Sequence, residues 1–177
     1  GNDFFNAFLG PMMIYTSAFY KNLDETLEQA QVNKLNMLCE KVHLKPGMTF
    51  LDIGCGWGTL VRHAAKEFGA TATGVTLSAE GAAWCREQAK KDGLTPKQCE
   101  ILNCDYREIP ADRKFDAISA VEMAEHVGIA NFGLFLDNVR SMLKDDGIFY
   151  IQVAGLRKGS NWQDTQWGLF MSRYIFP

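Results

Sequence analysis

The chain has 177 residues, 47% of them apolar, and a net charge of −3. That length and apolar content suit one domain with a sizeable core and exclude a disordered segment. The acidic balance offers no basic face for nucleic acid. Five cysteines with no C-x-x-C pair, beside three histidines, leave no zinc pattern and fit free thiols in a reducing compartment.

In chain order, Asn2 or Asp3 is expected to cap a short helix through Phe4, Phe5, Phe8 and Leu9, closed by Gly10-Pro11. Its apolar side either packs on the domain or lines a greasy channel or membrane surface. Pro11 to Tyr20 is aromatic and irregular, and needs cover from the core or from a ligand. Asn22-x-x-Glu25 reads as a capping box before a helix reaching about Val42. Leu27, Ala30, Lys34, Leu35, Leu38, Cys39 and Val42 share one of its faces. Lys45-Pro46-Gly47 is the turn into the first strand.

Thr49 to Ile53 reads as a buried strand, stopped by Gly54. Gly54, Gly56 and Gly58 follow, and a helix begins at about Thr59. Alternate glycines permit a sharp bend and keep side chains out of a ligand's way. The free N–H groups of the next helix face the same spot. This is a strand–loop–helix site for a nucleotide-like ligand. It is a poor dinucleotide fingerprint, because Thr59 stands where the last glycine belongs and Glu80 comes late for a ribose acid. No Walker lysine follows the glycines.

The rest of the body repeats strand and helix. The helix Thr59–Phe68 is ended by Gly69, and Thr71–Val75 is the second strand. Thr76-Leu77-Ser78 lies at its carboxyl end, where open α/β sheets bind ligands. Ser78 caps a helix running to Lys91. Strand three is Gln98–Asn103, followed by Asp105, Tyr106 and Arg107; strand four is Phe115–Val121. Glu122, Glu125 and His126 come directly after it, and carboxylates at a strand end can handle protons. A helix Asn131–Met142, a turn Lys144–Gly147 and strand five Ile148–Val153 complete an α/β, doubly wound sheet. The tail holds Trp162, Trp167, Leu169, Phe170, Met171, Tyr174, Ile175 and Phe176. It either packs against further chain or forms the mouth of a lipid cavity, with Arg157 and Lys158 placed to meet a headgroup.

Six ordered blocks beside the glycine loop Leu51–Gly58 carry a resemblance: Gly1–Asp3, Ile14–Ser17, Gly74–Ser78, Asp105–Arg107, Glu125–Gly128 and Arg173–Pro177. Together they resemble the cyclopropane-fatty-acid synthase and mycolic-acid methyltransferase family, which uses S-adenosylmethionine. Met123–Gly128 and Gln152–Gly159 look closest to its sphingolipid C9-methyltransferase branch. The resemblance implies a Rossmann-like class I methyltransferase sheet of order 3-2-1-4-5-7-6, with the last two strands beyond residue 177. It divides the chain into an N-terminal cap that covers the cofactor (1–48), an S-adenosylmethionine-binding α/β domain (49–153) and the start of a lipid-substrate region (154–177).

By the same resemblance the cofactor is held by Tyr15, Thr16, Asp52, Gly54, Cys55, Gly56, Trp57, Gly58, Thr76, Leu77, Ser78, Asp105, Tyr106 and Arg107, with no metal. Asp105 would accept from the adenine amino group. Tyr106 would pack on the ring, or else serve the core. Glu125 matches the family's active-site glutamate, which helps hold the bicarbonate that acts as base; His126 would shape the cofactor pocket. Ser17 stands for the family's active-centre cysteine, and Gln152, Val153, Ala154 and Gly155 stand for its H-T-I-G segment. These changes remove much of the bicarbonate cage. They leave Glu125 as the candidate base, directly or through water, with Ser17, Gln152 and His126 around it and Glu122 at the rim. The implied activity is C-methylation of a lipid alkene, at C9 of a sphingolipid long-chain base beside its C8 double bond. Alternatives are a cyclopropane synthase acting on phospholipid acyl chains, a small-molecule N-methyltransferase, and a donor- or lipid-binding module without catalysis. The implied partners are a lipid with a long unsaturated chain and a membrane surface on the cytosolic side.

Overall fold

The computed structural model describes residues 1–110, 112–155 and 162–175. Strands β1 (Thr49–Ile53), β2 (Thr71–Val75), β3 (Cys99–Leu102), β4 (Phe115–Val121) and β5 (Leu143–Gln152) pair in parallel, in the order β3-β2-β1-β4-β5. These are the first five positions of the expected order. Among the described residues β5 is an edge, paired only with β4. The expected turn at Lys144–Gly147 lies inside β5 instead. Leu143 pairs with Phe115 and Ile148 with Ala117, so the intervening residues form a bulge.

Strand alternation sorts the core into two faces. Phe50, Ala72 and Ala117 face α2 (Leu27–Lys41), α3 (Thr59–Glu67) and α4 (Ala79–Lys91), meeting Leu38, Cys39, Val61, Ala64 and Cys85. Leu51, Ile53, Val75 and Ile118 face α5 (Phe132–Met142), meeting Phe135, Val139 and Met142. Asp52 shares the parity of Phe50, so its carboxylate points to the α2 side, where burying it has consequences for the site.

Two helix starts differ from the sequence reading. Thr26, not Asn22, caps α2: its hydroxyl accepts from Gln29 N at 3.2 Å while Gln29 Oε1 accepts from Thr26 N at 2.8 Å. Glu25 instead ties the preceding loop, accepting from Lys21 N at 2.7 Å and from the Asn33 amide. In α1 (Asn2–Leu9) neither Asn2 nor Asp3 caps by its side chain. Asn2 reaches across to Trp57 and Glu80.

The tail forms α6 (Trp162–Phe170) and a π-helical turn over Met171–Ile175. Trp167, Leu169 and Tyr174 are each about two-thirds exposed, so this apolar stretch is not covered by the sheet domain. Arg157, Lys158 and Phe176 lie outside the described residues. Among the described residues no helix is long and apolar enough to cross a membrane.

Candidate active site

The carboxyl ends of β1, β2 and β4 open into two clefts that share Gly54. The first, of about 620 Å³, is lined by Gly54, Thr76, Leu77, Ser78, Asp105, Tyr106, Arg107, Met123 and His126, among others. The second, of about 450 Å³, is lined by Phe5, Tyr15, Thr16, Lys34, Asp52, Cys55, Gly56, Trp57 and Glu122, among others. A ligand with an adenine-like end and an amino-acid-like end can span both, passing over Gly54.

The glycine loop makes this possible through three different demands. Gly54, Gly56 and Gly58 all have positive φ (78°, 56° and 72°). A Cβ on Gly54 would lie 2.5 Å from Met123 Cγ, and one on Gly58 would lie 2.0 Å from Cys85 Sγ. Gly58 is therefore required by packing of the loop on α4, and lines neither cleft. A Cβ on Gly56 would meet no protein atom within 4 Å and would intrude on the second cleft. That open space is where a bound molecule fits. Gly81, in the first turn of α4, closes the arrangement: a Cβ there would lie 2.7 Å from the Gly56 carbonyl oxygen.

The N-terminal segment covers the loop. Trp57 Nε1 donates to Asn2 Oδ1 at 2.9 Å, and the Phe5 ring lies 4.9 Å from the Trp57 ring, centroid to centroid. Thr59 Oγ1 donates to the Met12 carbonyl at 2.6 Å. Thr16 is clasped by α2: Lys34 Nζ donates to its hydroxyl at 2.5 Å and Gln31 Nε2 to its carbonyl at 2.9 Å. Tyr15 lies next to Phe5 and Phe8, with its ring half exposed at the mouth of the second cleft.

Two buried charges face each other below this cover. Burial pushes the Asp52 carboxyl up to about 7, against the opposing pull of its Ser119 hydrogen bond and of Lys34. Ser119 Oγ donates to Asp52 Oδ1 at 2.6 Å. Burial pulls Lys34 down to about 8, offset in part by Glu122 and Asp52. The same burial, with Asp52 nearby, pushes the Cys39 thiol up to about 12, so it is an inert core thiol.

In the first cleft Ser78 Oγ caps α4 by accepting from Gly81 N at 3.0 Å, and Thr76 Oγ1 accepts from Ser78 N at 3.2 Å. Leu77 stands exposed between them. Tyr106 has a dual position, lining the cleft and packing edge-on to Phe135 at 5.7 Å. Asp105 is occupied: Arg107 donates Nε to Oδ1 at 2.9 Å and Nη2 to Oδ2 at 2.6 Å, and this fork holds the carboxyl below the usual range. Any further donor to Asp105 has to share it with that guanidinium.

The third group of residues was only partly legible in the sequence. Ser17 Oγ donates to Glu122 Oε1 at 2.7 Å, and Gln152 Nε2 donates to the same oxygen at 2.8 Å. Ser17 and Gln152 do come together, but around Glu122, which thereby sits inside the site rather than at its rim. Glu125 faces elsewhere: its Oε1 accepts from Ala154 N at 3.2 Å, and it lines neither cleft. His126 lines the first cleft. Among the described residues no cluster of His, Cys, Asp and Glu is arranged to hold a metal ion.

The family description "Mycolic acid cyclopropane synthetase" matches residues 1–177, the whole chain. The chain belongs to the mycolic acid cyclopropane synthetase family. Among its relatives, Sphingolipid C9-methyltransferase A of Emericella nidulans is 51% identical over 180 residues, covering 100% of this chain and 35% of that protein. The cyclopropane-fatty-acyl-phospholipid synthase of Escherichia coli is 41% identical over 177 residues, covering 100% of this chain and 43% of that protein. The solved cyclopropane synthase MmaA2 from Mycobacterium tuberculosis aligns over the whole chain and 64% of its own, with a TM-score of 0.89 and 30% identity. The chain spans about a third of the length of the C9-methyltransferases it matches. As a member of this synthetase family it has the Rossmann-like class I methyltransferase fold. The glycine loop and the Asp105–Tyr106 strand end lie at the carboxyl ends of the strands, with the Tyr15–Thr16 segment beside the loop.

Proposed function

We propose that the complete protein is an S-adenosylmethionine-dependent C-methyltransferase of a lipid alkene, methylating C9 of a sphingolipid long-chain base at its C8 double bond. The observation that carries it is the pair of clefts meeting at Gly54, one suited to a purine and the other aromatic, with Lys34, Asp52 and Glu122 in its wall. Identity of 51% and 45% to the C9-methyltransferases of Emericella nidulans and Candida albicans, against 41% to the phospholipid synthase of Escherichia coli, supports the sphingolipid over the phospholipid.

The bound donor supplies an electrophilic methyl on a sulfonium. An alkene is a weak nucleophile, so the protein's task is alignment and exclusion of water. The loop from Gly54 to Gly58 positions the donor, and the Phe5–Trp57–Tyr15 cluster closes over it. These ring faces also favour positive charge nearby. The alkene π pair forms the C–C bond, the broken S–C pair stays on sulfur, and the adjacent lipid carbon becomes cationic. Loss of the proton from the methylated carbon restores the double bond and leaves a branch. Exposed Phe4, Phe8, Trp167 and Leu169 support access from a membrane surface.

The test uses the complete protein, methyl-labelled donor and mixed vesicles of ceramide and unsaturated phospholipid. Label is expected in the ceramide long-chain base. Label confined to phospholipid acyl chains, or label only on added amines, overturns the sphingolipid assignment.

A further inference from the structure

Deprotonation at the methylated carbon needs an acceptor beside the second cleft, and Glu122 has the setting of one. It lines that cleft together with Tyr15, Gly56 and Trp57. Three donors converge on its Oε1: Ser17 Oγ at 2.7 Å, Ser17 N at 3.3 Å and Gln152 Nε2 at 2.8 Å. Among the described residues Oε2 carries no hydrogen bond. One oxygen is thus anchored while the other is left to accept.

The backbone is bent to present this side chain. Glu122 has φ 51°, a left-handed conformation that a non-glycine residue rarely adopts. It is held there by its own N–H donating to the Gln152 carbonyl at 2.7 Å. A mere tie between β4 and β5 needs only that backbone bond, which glycine would make without strain. The strain is spent on placing a carboxylate between Ser17 and Gln152. Both come from segments far away in sequence, the covering loop and the end of β5. Ser17 and Gln152 are two of the positions at which the chain departs from the bicarbonate cage its sequence resembles, and the carboxylate of Glu122 lies between them.

We infer that Glu122 is the catalytic base of the transfer, a carboxylate built into the chain that does the work a bound bicarbonate would do. This rests on the C-methyltransferase reading above. In the step, Oε2 takes the proton from the methylated carbon, the C–H pair becomes the new π bond, and the cationic neighbour is neutralised. The carboxylic acid then releases its proton to water. The hydrogen next to a carbocation is strongly acidic, so position matters more than high basicity. Ser17 and Gln152 are positioning residues, acting through Oε1. Glu125, on the Ala154 N–H, is left to brace the strand ends.

The experiment compares the complete wild-type protein with Glu122→Gln and Glu122→Gly, reading methyl transfer to ceramide and donor affinity by calorimetry. Glycine suits the φ at this position, so the second variant keeps the fold if the first does not. The expected result is a loss of transfer of about 100-fold or more in both, donor affinity within a few-fold of wild type, and recovery of Glu122→Gly by added formate or bicarbonate. Transfer by Glu122→Gln within about threefold of wild type overturns the inference. So does a loss that tracks donor affinity, or a loss that no added carboxylate lifts. The wild-type product reports separately on the reading beneath it. If the label enters a phospholipid ring, the sphingolipid assignment falls while the variant ratio still decides the base. Label on an amine alone overturns both.

Discussion

Gly81 and Gly56 approach so closely that a single methyl group on Gly81 would stand 2.7 Å from the Gly56 carbonyl oxygen. The contact couples the first turn of α4 to the loop that carries the donor. Gly81→Ala is therefore expected to push Gly56 toward the second cleft and to weaken donor binding by about tenfold or more. Calorimetric titration of the complete protein with S-adenosylhomocysteine checks this; unchanged affinity would show that the loop yields without cost.

Gly58 makes the complementary prediction. Its φ of 72° and the 2.0 Å approach of a Cβ to Cys85 Sγ combine backbone strain with overpacking. Gly58→Ala should cost about 2 kcal/mol of stability or more. Denaturant titration reads it directly. Gly56→Ala, whose Cβ meets no protein atom, should cost less stability and more donor affinity.

Asp52 predicts a pH dependence. Its folded-state value of about 7 lies above the ordinary 3.8, so its contribution to stability is fully present below about 3.8 and is lost as pH rises through 7. Lys34, lowered to about 8, remains protonated across most of that window, so Asp52 dominates the pair's change there. Glu122 also faces Lys34, and Ser119 holds Asp52 by a hydrogen bond. A cationic donor in the second cleft favours ionised Asp52. Affinity for S-adenosylmethionine should therefore rise several-fold from about pH 6 to about pH 8. Asp52→Asn should flatten that rise, as measured by calorimetry at matched ionic strength.

Asp105 and Arg107 make a fourth. The fork from Arg107 fixes the carboxylate that an adenine amino group would use. Asp105→Asn should weaken donor binding by about tenfold, the worth of one hydrogen bond to a charged group. Adenosine alone should lose affinity in the same proportion, which separates an adenine contact from a general loosening of the strand end.

The sheet was legible in the sequence because each strand is short, apolar and stopped by glycine or polar residues. Thr71–Val75 and Phe115–Val121 occupy the bounds their patterns predict. What was not legible depends on partners distant in the chain. Asn22 and Glu25 have the spacing of a capping box, but Glu25 is taken by Lys21, Asn22 and Asn33, so the cap passes to Thr26. Lys144–Gly147 has turn composition, yet β4 pairing absorbs it as a bulge. In the site, the glycine loop and the Asp105 strand end carry local signals. Glu122 does not, because its meaning comes from Ser17 and Gln152, 105 and 30 residues away. The available signal was the paired departure at those two positions, with an unexplained carboxylate at the end of the strand between them. Gly81 gave none, since its role is a backbone approach visible only in three dimensions.

The proposed reaction puts a methyl group on C9 and restores the double bond by losing the C9 proton. A ceramide deuterated at C9 of its long-chain base tests it most directly, with the complete protein and unlabelled S-adenosylmethionine, and product read by fragmentation mass spectrometry. Proton loss at the methylated carbon predicts a methyl branch at C9 with the deuterium lost. A product that keeps the deuterium and carries a ring across C8 and C9 would contradict it, placing proton loss on the new methyl group instead.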